Sequence, residues 1–186
     1  MQIRIRPEKR VTTNDYGSAD YYYVNKSSLP KVYGGFNTSL SWKGFDLSAI
    51  FAYSIGGYIY NRDVTMILHN GSLEGRDWST EILRRWTPDN RNTDVPALST
   101  TSNNWNSAST RFLQNNSYMR LKNLTLSYNL PKQWISKLSL SSVQVYVQGD
   151  NLFTIHRNQG LDPEQGITGI TYYRYPAMRT ISGGIN

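Results

Sequence analysis

Strict alternation across a very short turn limits what this chain can fold into more than any other feature. From Gly35 to Trp42, Phe36, Thr38, Leu40 and Trp42 fall on one side, and Asn37, Ser39 and Ser41 on the other. Lys43-Gly44 makes a short connection, after which Phe45, Leu47, Ala49, Phe51 and Tyr53 alternate with Asp46, Ser48, Ile50, Ala52 and Ser54. Period-two runs joined by a glycine-containing turn specify a β-hairpin. Each run is about 9–11 residues long, the length that crosses a bilayer when the strand is tilted. One face is apolar and aromatic and the other small and polar, as the wall of a transmembrane barrel requires.

Composition agrees with a sheet of this kind. Apolar residues make up 38% of the 186 and charged residues 18%, against about 45–50% and about 25% in an ordinary soluble domain. Ser, Asn, Thr and Gly fill the deficit, with 14 Tyr and 5 Trp. A secreted or surface β-sandwich, a carbohydrate-binding or adhesion module, can share this composition and stands as the alternative. The absence of cysteine excludes a disulfide scaffold, a thiolate metal site and a Cys nucleophile. No apolar run approaches the roughly 18 residues of a membrane helix, and the first residues lack the apolar core of a signal peptide. The net charge of +7 comes from basic residues scattered at positions such as Arg62, Arg76, Arg84, Arg111 and Arg174. They form no dense basic run, so no nucleic-acid partner is expected.

Further strands follow the same period. Tyr118–Tyr128 sets Leu124, Leu126 and Tyr128 against Asn123, Thr125 and Ser127. Carried upstream unbroken, that parity puts Arg120 and Lys122 on the apolar side. A β-bulge that reverses the parity, or a strand that has already left the membrane, is equally consistent. Leu130-Pro131 breaks the strand, and Pro131 is placed to begin a helical turn through Ile135 to Lys137. Ser142–Leu152 sets Val143, Val145 and Val147 against Gln144, Tyr146 and Gln148. A last strand from near Arg179 sets Ile181, Gly183 and Ile185 against Thr180, Ser182, Gly184 and Asn186. Short connections at Lys43-Gly44 and Pro131–Ser141 alternate with long ones at Ile55–Ser117 and Thr154–Ala177. Outer-membrane barrels pair short periplasmic turns with long extracellular loops in this way. The expected fold is therefore an all-β antiparallel meander of about five strands in a large transmembrane barrel. Within its first long loop, Asp77–Trp86 predicts one short helix, with Ser79 or Thr80 as cap, Ile82, Leu83 and Trp86 on one side, and Thr87-Pro88 as the stop.

Several segments, in this order and spacing, resemble the C-terminal part of the SusC/RagA-type TonB-dependent outer-membrane transporters of Bacteroidetes. They are Pro30-Lys31-Val32-Tyr33-Gly34-Gly35-Phe36-Asn37, Trp42-Lys43-Gly44-Phe45-Asp46-Leu47, Arg85-Trp86-Thr87-Pro88-Asp89-Asn90 and Asn92-Thr93-Asp94-Val95-Pro96. The series continues through Ser117–Tyr128, Leu130-Pro131, Asp150-Asn151-Leu152-Phe153-Thr154, Gly160-Leu161-Asp162-Pro163-Glu164 and Tyr175-Pro176. The resemblance covers residues 30–186; residues 1–29 match poorly and are expected to be an extracellular loop or a preceding strand. It implies a plugged barrel of about 22 strands in the cell outer membrane. Such a barrel imports glycans or peptides beneath a SusD-like lipoprotein lid, and the TonB complex drives it. Signal peptide, TonB box, plug and most strands of the family are not in this sequence, which implies an incomplete barrel that is inactive alone.

Candidate sites follow from position. Loop aromatics Trp105, Tyr172, Tyr173 and Tyr175 are placed to meet a glycan or peptide substrate, or to pack loop on loop or against the lid. Tyr33, Trp42, Tyr53, Tyr128 and Trp134 are placed as a membrane girdle. Asn123, Thr125, Ser127, Gln144, Tyr146 and Gln148 are expected to face the lumen. No catalytic residue, metal site or cofactor is expected. His69 and His156 lie in different long loops without carboxylates at a metal or triad spacing. Asp162 and Glu164 flank Pro163 in what reads as a solvated turn. Asp89–Asp94 is rich in oxygen ligands but lacks the EF-hand pattern, and reads as a structural turn.

Overall fold

Lys43 and Gly44 both adopt positive φ, 47° and 87°, as the tightest class of β-hairpin turn requires. Glycine takes this backbone freely and Lys43 does not, so the turn is held by the strands it joins. In the computed structural model these are β1, Val32–Trp42, and β2, Phe45–Ile55, paired antiparallel from Trp42 opposite Phe45 to Val32 opposite Ile55. The structure describes residues 15–69, 71, 73–99, 101, 104–136, 140–158, 160–164 and 166–186. Contacts divide the chain into two units: Ser28–Tyr58, Asn115–Ile167 and Arg174–Asn186 form one, and Ile59–Gln114, Thr168–Tyr173 and the described part of Met1–Ser27 form the other.

The first unit holds the meander. After β1 and β2 come β3, Tyr58–Asn61, and β4, Leu113–Asn115, which belong to a smaller sheet. The main sheet resumes with β5, Tyr118–Asn129, and β6, Gln144–His156. A two-residue β7, Ile170–Thr171, is followed by the last strand, β8, Thr180–Ile185. Its order is β1-β2-β5-β6-β8, antiparallel throughout. A short α-helix, α2 (Lys132–Ile135), follows Pro131 between β5 and β6; the expected end of that turn at Lys137 lies outside the described residues, as do residues 1–14 of the poorly matched segment.

Residues paired across a ladder share a face, so the register reads out both sides of the sheet. Phe36 faces Phe51, Leu47 faces Leu40 and Leu126, and Tyr128 faces Phe45 and Val145. Phe36 and Phe51 stack at 4.7 Å between ring centres, and Phe45 and Tyr128 lie at 4.4 Å. Asp46, Ser127 and Tyr146 share the opposite face, with Ser48, Thr125, Gln148 and Ser182 in the next row.

Among the described residues, most of the apolar face is uncovered, with Leu40 67% exposed, Trp42 64%, Ile155 64% and Ile181 72%, while Ala49 and Leu121 are buried between their neighbours. A β-sandwich buries such a face in its core, and this sheet does not. At about 1.5–3 kcal/mol for each large apolar side chain withdrawn from water, its uncovered face represents on the order of tens of kcal/mol.

One irregularity settles the parity left open at Arg120 and Lys122. The ladders of β5 shift register at Lys122, where Leu121 pairs with Phe51 and Phe153 while Asn123 pairs with Ile50 and Asp150. On β6 the matching residues are Asn151, with φ 53°, and Leu152. The bulge turns Leu121 to the apolar face and Arg120 to the polar face, opposite Ala52 and Thr154. Tyr33 departs from expectation for the opposite reason. With no bulge between them, it lies an odd number of residues from Phe36 and pairs with Ser54 on the polar face. Its place among the girdle residues is therefore corrected.

The second unit carries a core of its own. Ile59, Leu68, Ile82, Val95 and Phe112 are all at most 4% exposed, and β3 pairs with β7 in parallel. The helix α1, Arg62–Ile67, starts where the Asn61 side chain accepts from the Val64 N–H at 3.0 Å. The helix expected over Asp77–Trp86 is shorter and tighter: a 3-10 turn over Thr80–Arg84, capped by Ser79, which accepts from Glu81 N–H. Three residues per turn point Ile82 inward and leave Leu83 at 73% exposed. Asn90 stops this segment by donating to the Arg84 and Arg85 carbonyls.

Candidate functional site

The polar face of the meander is tied together by side chains. Asn123 donates to Asp150 at 2.8 Å, Thr125 donates to Asn123 at 2.9 Å, and Gln144 donates to Ser127 at 3.1 Å. Gln148 reaches Asp150 at 3.3 Å. All six residues expected on one side, Asn123, Thr125, Ser127, Gln144, Tyr146 and Gln148, share this face. Trp42, Tyr53 and Tyr128 stand on the other, and Trp134 is on α2, 64% exposed.

Where the bulge turns Arg120 to the polar face, an ion-pair network joins the sheet to the loop that follows β6. The Arg120 side chain is 4% exposed. Its Nε donates to Thr154 at 2.8 Å, one terminal nitrogen to Glu164 Oε2 at 2.8 Å and the other to Asp162 Oδ1 at 2.5 Å. Lys122, the bulged residue, adds two contacts to Glu164 at 2.5 and 2.6 Å. Asp162 also accepts from the backbone N–H groups of Glu164 at 2.9 Å and Ala177 at 2.6 Å. Asn116 donates to the Pro163 carbonyl at 2.8 Å. Of the pair flanking Pro163, Asp162 is thus buried in a clamp, whereas Glu164, 38% exposed, keeps one side to solvent while it holds Arg120 and Lys122.

Burial alone raises the Asp162 carboxyl, but the Ala177 and Glu164 N–H groups and Arg120 more than offset it and hold it below its ordinary value. A carboxyl depressed in the folded state contributes stability above its unfolded value, about 4, and loses it as pH falls through the folded value. The loop around Asp162 is therefore expected to stay protease-resistant from neutral pH down to about 4 and to open below it. Limited proteolysis across that range, with Asp162→Asn as the pH-insensitive control, checks this.

The loop aromatics do not form one cluster. Tyr172 and Tyr173 pack ring on ring at 4.2 Å, with Arg62 over Tyr172 at 4.8 Å. The Tyr173 backbone, at φ 48°, donates to Asp63 at 2.9 Å. Trp105 is held differently: its Nε1 donates to the Leu68 carbonyl and Arg111 lies 3.7 Å over its ring. Tyr175 is 98% exposed. His69 is buried and accepts from Trp78 Nε1 at 3.0 Å and from Gly71 N–H at 3.3 Å, a packing role. Sequence pattern passed over a further feature, an open cleft of about 510 Å³ lined by Tyr16, Tyr21, Tyr22 and Tyr60. Tyr16 braces it by donating to the Ala108 carbonyl at 2.7 Å. The run Tyr21-Tyr22-Tyr23 was its only signal in the sequence.

No family model matches the chain. It is 35% identical over 163 residues to a TonB-dependent receptor of Formosa agariphila, a match over 82% of this chain and 16% of that protein. It is 27% identical over 165 residues to the TonB-dependent receptor SusC of Bacteroides thetaiotaomicron, over 88% of this chain and 16% of that protein. Among solved structures it is similar to a chain of the RagAB peptide importer in the open-open state. That match has a TM-score of 0.82 and 34% identity, and it covers 98% of this chain and 20% of the other. The chain thus spans under a fifth of the curated relatives named here.

Proposed function

This chain is a β-barrel segment of the SusC/RagA type of TonB-dependent receptor, and on that premise we propose that it builds part of the wall and outer loops of an outer-membrane transporter for nutrients such as glycans or peptides. The observation that carries the reading is the two-faced meander, with an uncovered apolar side and a hydrogen-bonded polar side. Lipid covers the apolar side, and Trp42, Tyr53, Tyr128 and Trp134 sit near its margins, where rings with a polar edge are favoured. The polar side turns to the lumen. Trp105, Tyr172, Tyr173 and Tyr175 lie on loops that meet substrate or a SusD-like lipoprotein lid. TonB acts through parts of the receptor outside this chain. Residues 30–186 form the barrel segment, with residues 1–29 as a preceding strand or outer loop. The five strands alone leave one edge of β1 and one of β8 unpaired, a state that membranes exclude, so the segment is inactive by itself.

The chain contains no cysteine, so a thiol introduced into this segment is the only one in it, and any cysteines elsewhere in the receptor are replaced by serine for a labelling test. In the full-length receptor in intact outer membranes, Gln148→Cys is expected to react with a water-soluble maleimide. Val147→Cys, its neighbour on the opposite face, is expected to react only with a lipid-soluble reagent. Equal reaction of both with the water-soluble reagent would remove the membrane reading.

A further inference from the structure

An open cleft of about 540 Å³ lies where the C-terminal end of β6 meets the loop leading into β8. Arg120, Arg174 and Arg179 line it, with His156, Leu161 and Pro176 in its walls. The carboxylates beside it are already engaged. Asp162 accepts from Arg120 and two backbone N–H groups, and Glu164 accepts from Arg120 and Lys122. Two cations therefore face two carboxylates, and Arg174 and Arg179 come in addition. Neither is ion-paired to a carboxylate among the described residues. A concave surface with one sign of charge in excess and apolar walls concentrates counter-ions. A guanidinium presents a planar fork that matches a carboxylate or sulfate better than a point charge does.

We propose that this cleft binds an oxyanion group, a carboxylate or sulfate, carried by the imported solute. The word "imported" rests on the transporter reading above; the anion site does not. Among the strand residues in its lining, Phe153 belongs to the apolar face, and the assignment to a solute rests on Arg120, Thr154 and His156. Arg120, Thr154 and His156 belong to the polar face, in line with Asn123 and Asp150 and away from the side offered to lipid. Buried Arg120 is a fixed post, neutralised by its partners and aligned by Thr154. Exposed Arg174 and Arg179 are the groups that meet the ligand.

The test uses the full-length receptor that contains this segment, in neutral detergent, with inorganic sulfate as probe at constant ionic strength. Phenylglyoxal modifies accessible guanidinium groups, and mass spectrometry reads each arginine. Modification of Arg174 and Arg179 is expected to fall saturably with sulfate at one shared midpoint, while exposed Arg91 in the other unit is unaffected. Arg179→Gln should raise the midpoint at Arg174 about ten-fold, as loss of a charge-assisted partner implies; Lys132→Gln should leave it unchanged. Absence of saturable protection, equal protection of Arg91, or a midpoint at Arg174 indifferent to Arg179→Gln would overturn the site. In sulfate-free nanodiscs, protection that appears only with anionic lipid would assign the anion to the membrane and overturn the solute claim. Failure of the transporter reading shows separately, as loss of face-selective cysteine labelling with the sulfate result intact.

Discussion

Arg120→Met is expected to cost the folded receptor about 3 kcal/mol, the low end for stranding a partner of a buried ion pair, and to release the loop around Asp162. The side chain is 4% exposed and Asp162 7%, so water does not replace the lost guanidinium. The cost stays at the low end because Lys122 still holds Glu164, and two backbone N–H groups still reach Asp162. Arg120→Lys should fall between, since it keeps the charge but cannot reach Thr154, Asp162 and Glu164 with one planar fork. The triple variant Arg120→Met, Asp162→Asn, Glu164→Gln should recover much of the loss, because it removes the unpaired charges and not merely one partner. Urea unfolding in lipid vesicles measures the stability, and protease cleavage near Asp162 reports the loop. A single variant as stable and as resistant as the parent would mean that the clamp is incidental.

Leu126→Arg should be as damaging by a different route. Leu126 stands mid-strand on the apolar face between Leu47 and Val147. A charge on the lipid face near the bilayer centre costs about 2–4 kcal/mol. Thr125→Arg, one residue away on the polar face, should cost only about 1 kcal/mol, for the hydrogen bond that Thr125 gives Asn123. The contrast between neighbours matters more than either value. Equal losses, or a larger loss at Thr125, would show that the two faces are not lipid and water.

Both predictions rest on features of unequal visibility in the sequence. The faces at Leu126 and Thr125 were legible from alternation alone, and so were the Lys43-Gly44 turn and the ends of β1 and β2 to within a few residues. Arg120 was not. Its parity depended on whether the chain bulged at Lys122, and nothing in Arg-Leu-Lys-Asn announces a bulge. Asp162-Pro163-Glu164 read as an exposed turn, because turn chemistry is local and its partners lie some forty residues earlier on β5. Tyr33 went astray through weighing ring type over parity. The helix expected at Asp77–Trp86 shrank to Thr80–Arg84 because the Ser79 cap and the Asn90 stop left room for little more than one turn.

Sequence by itself determined what each strand must be: its length, its two faces and its turn, since side chains on a strand alternate whatever lies around them. Only the tertiary structure decided what those strands carry. It set the bulge that turns Arg120 to the polar face, the clamp that it forms with Asp162 and Glu164, and the small cores and clefts of the long loops. Those depend on pairing residues far apart in the chain, and no local period encodes such pairing.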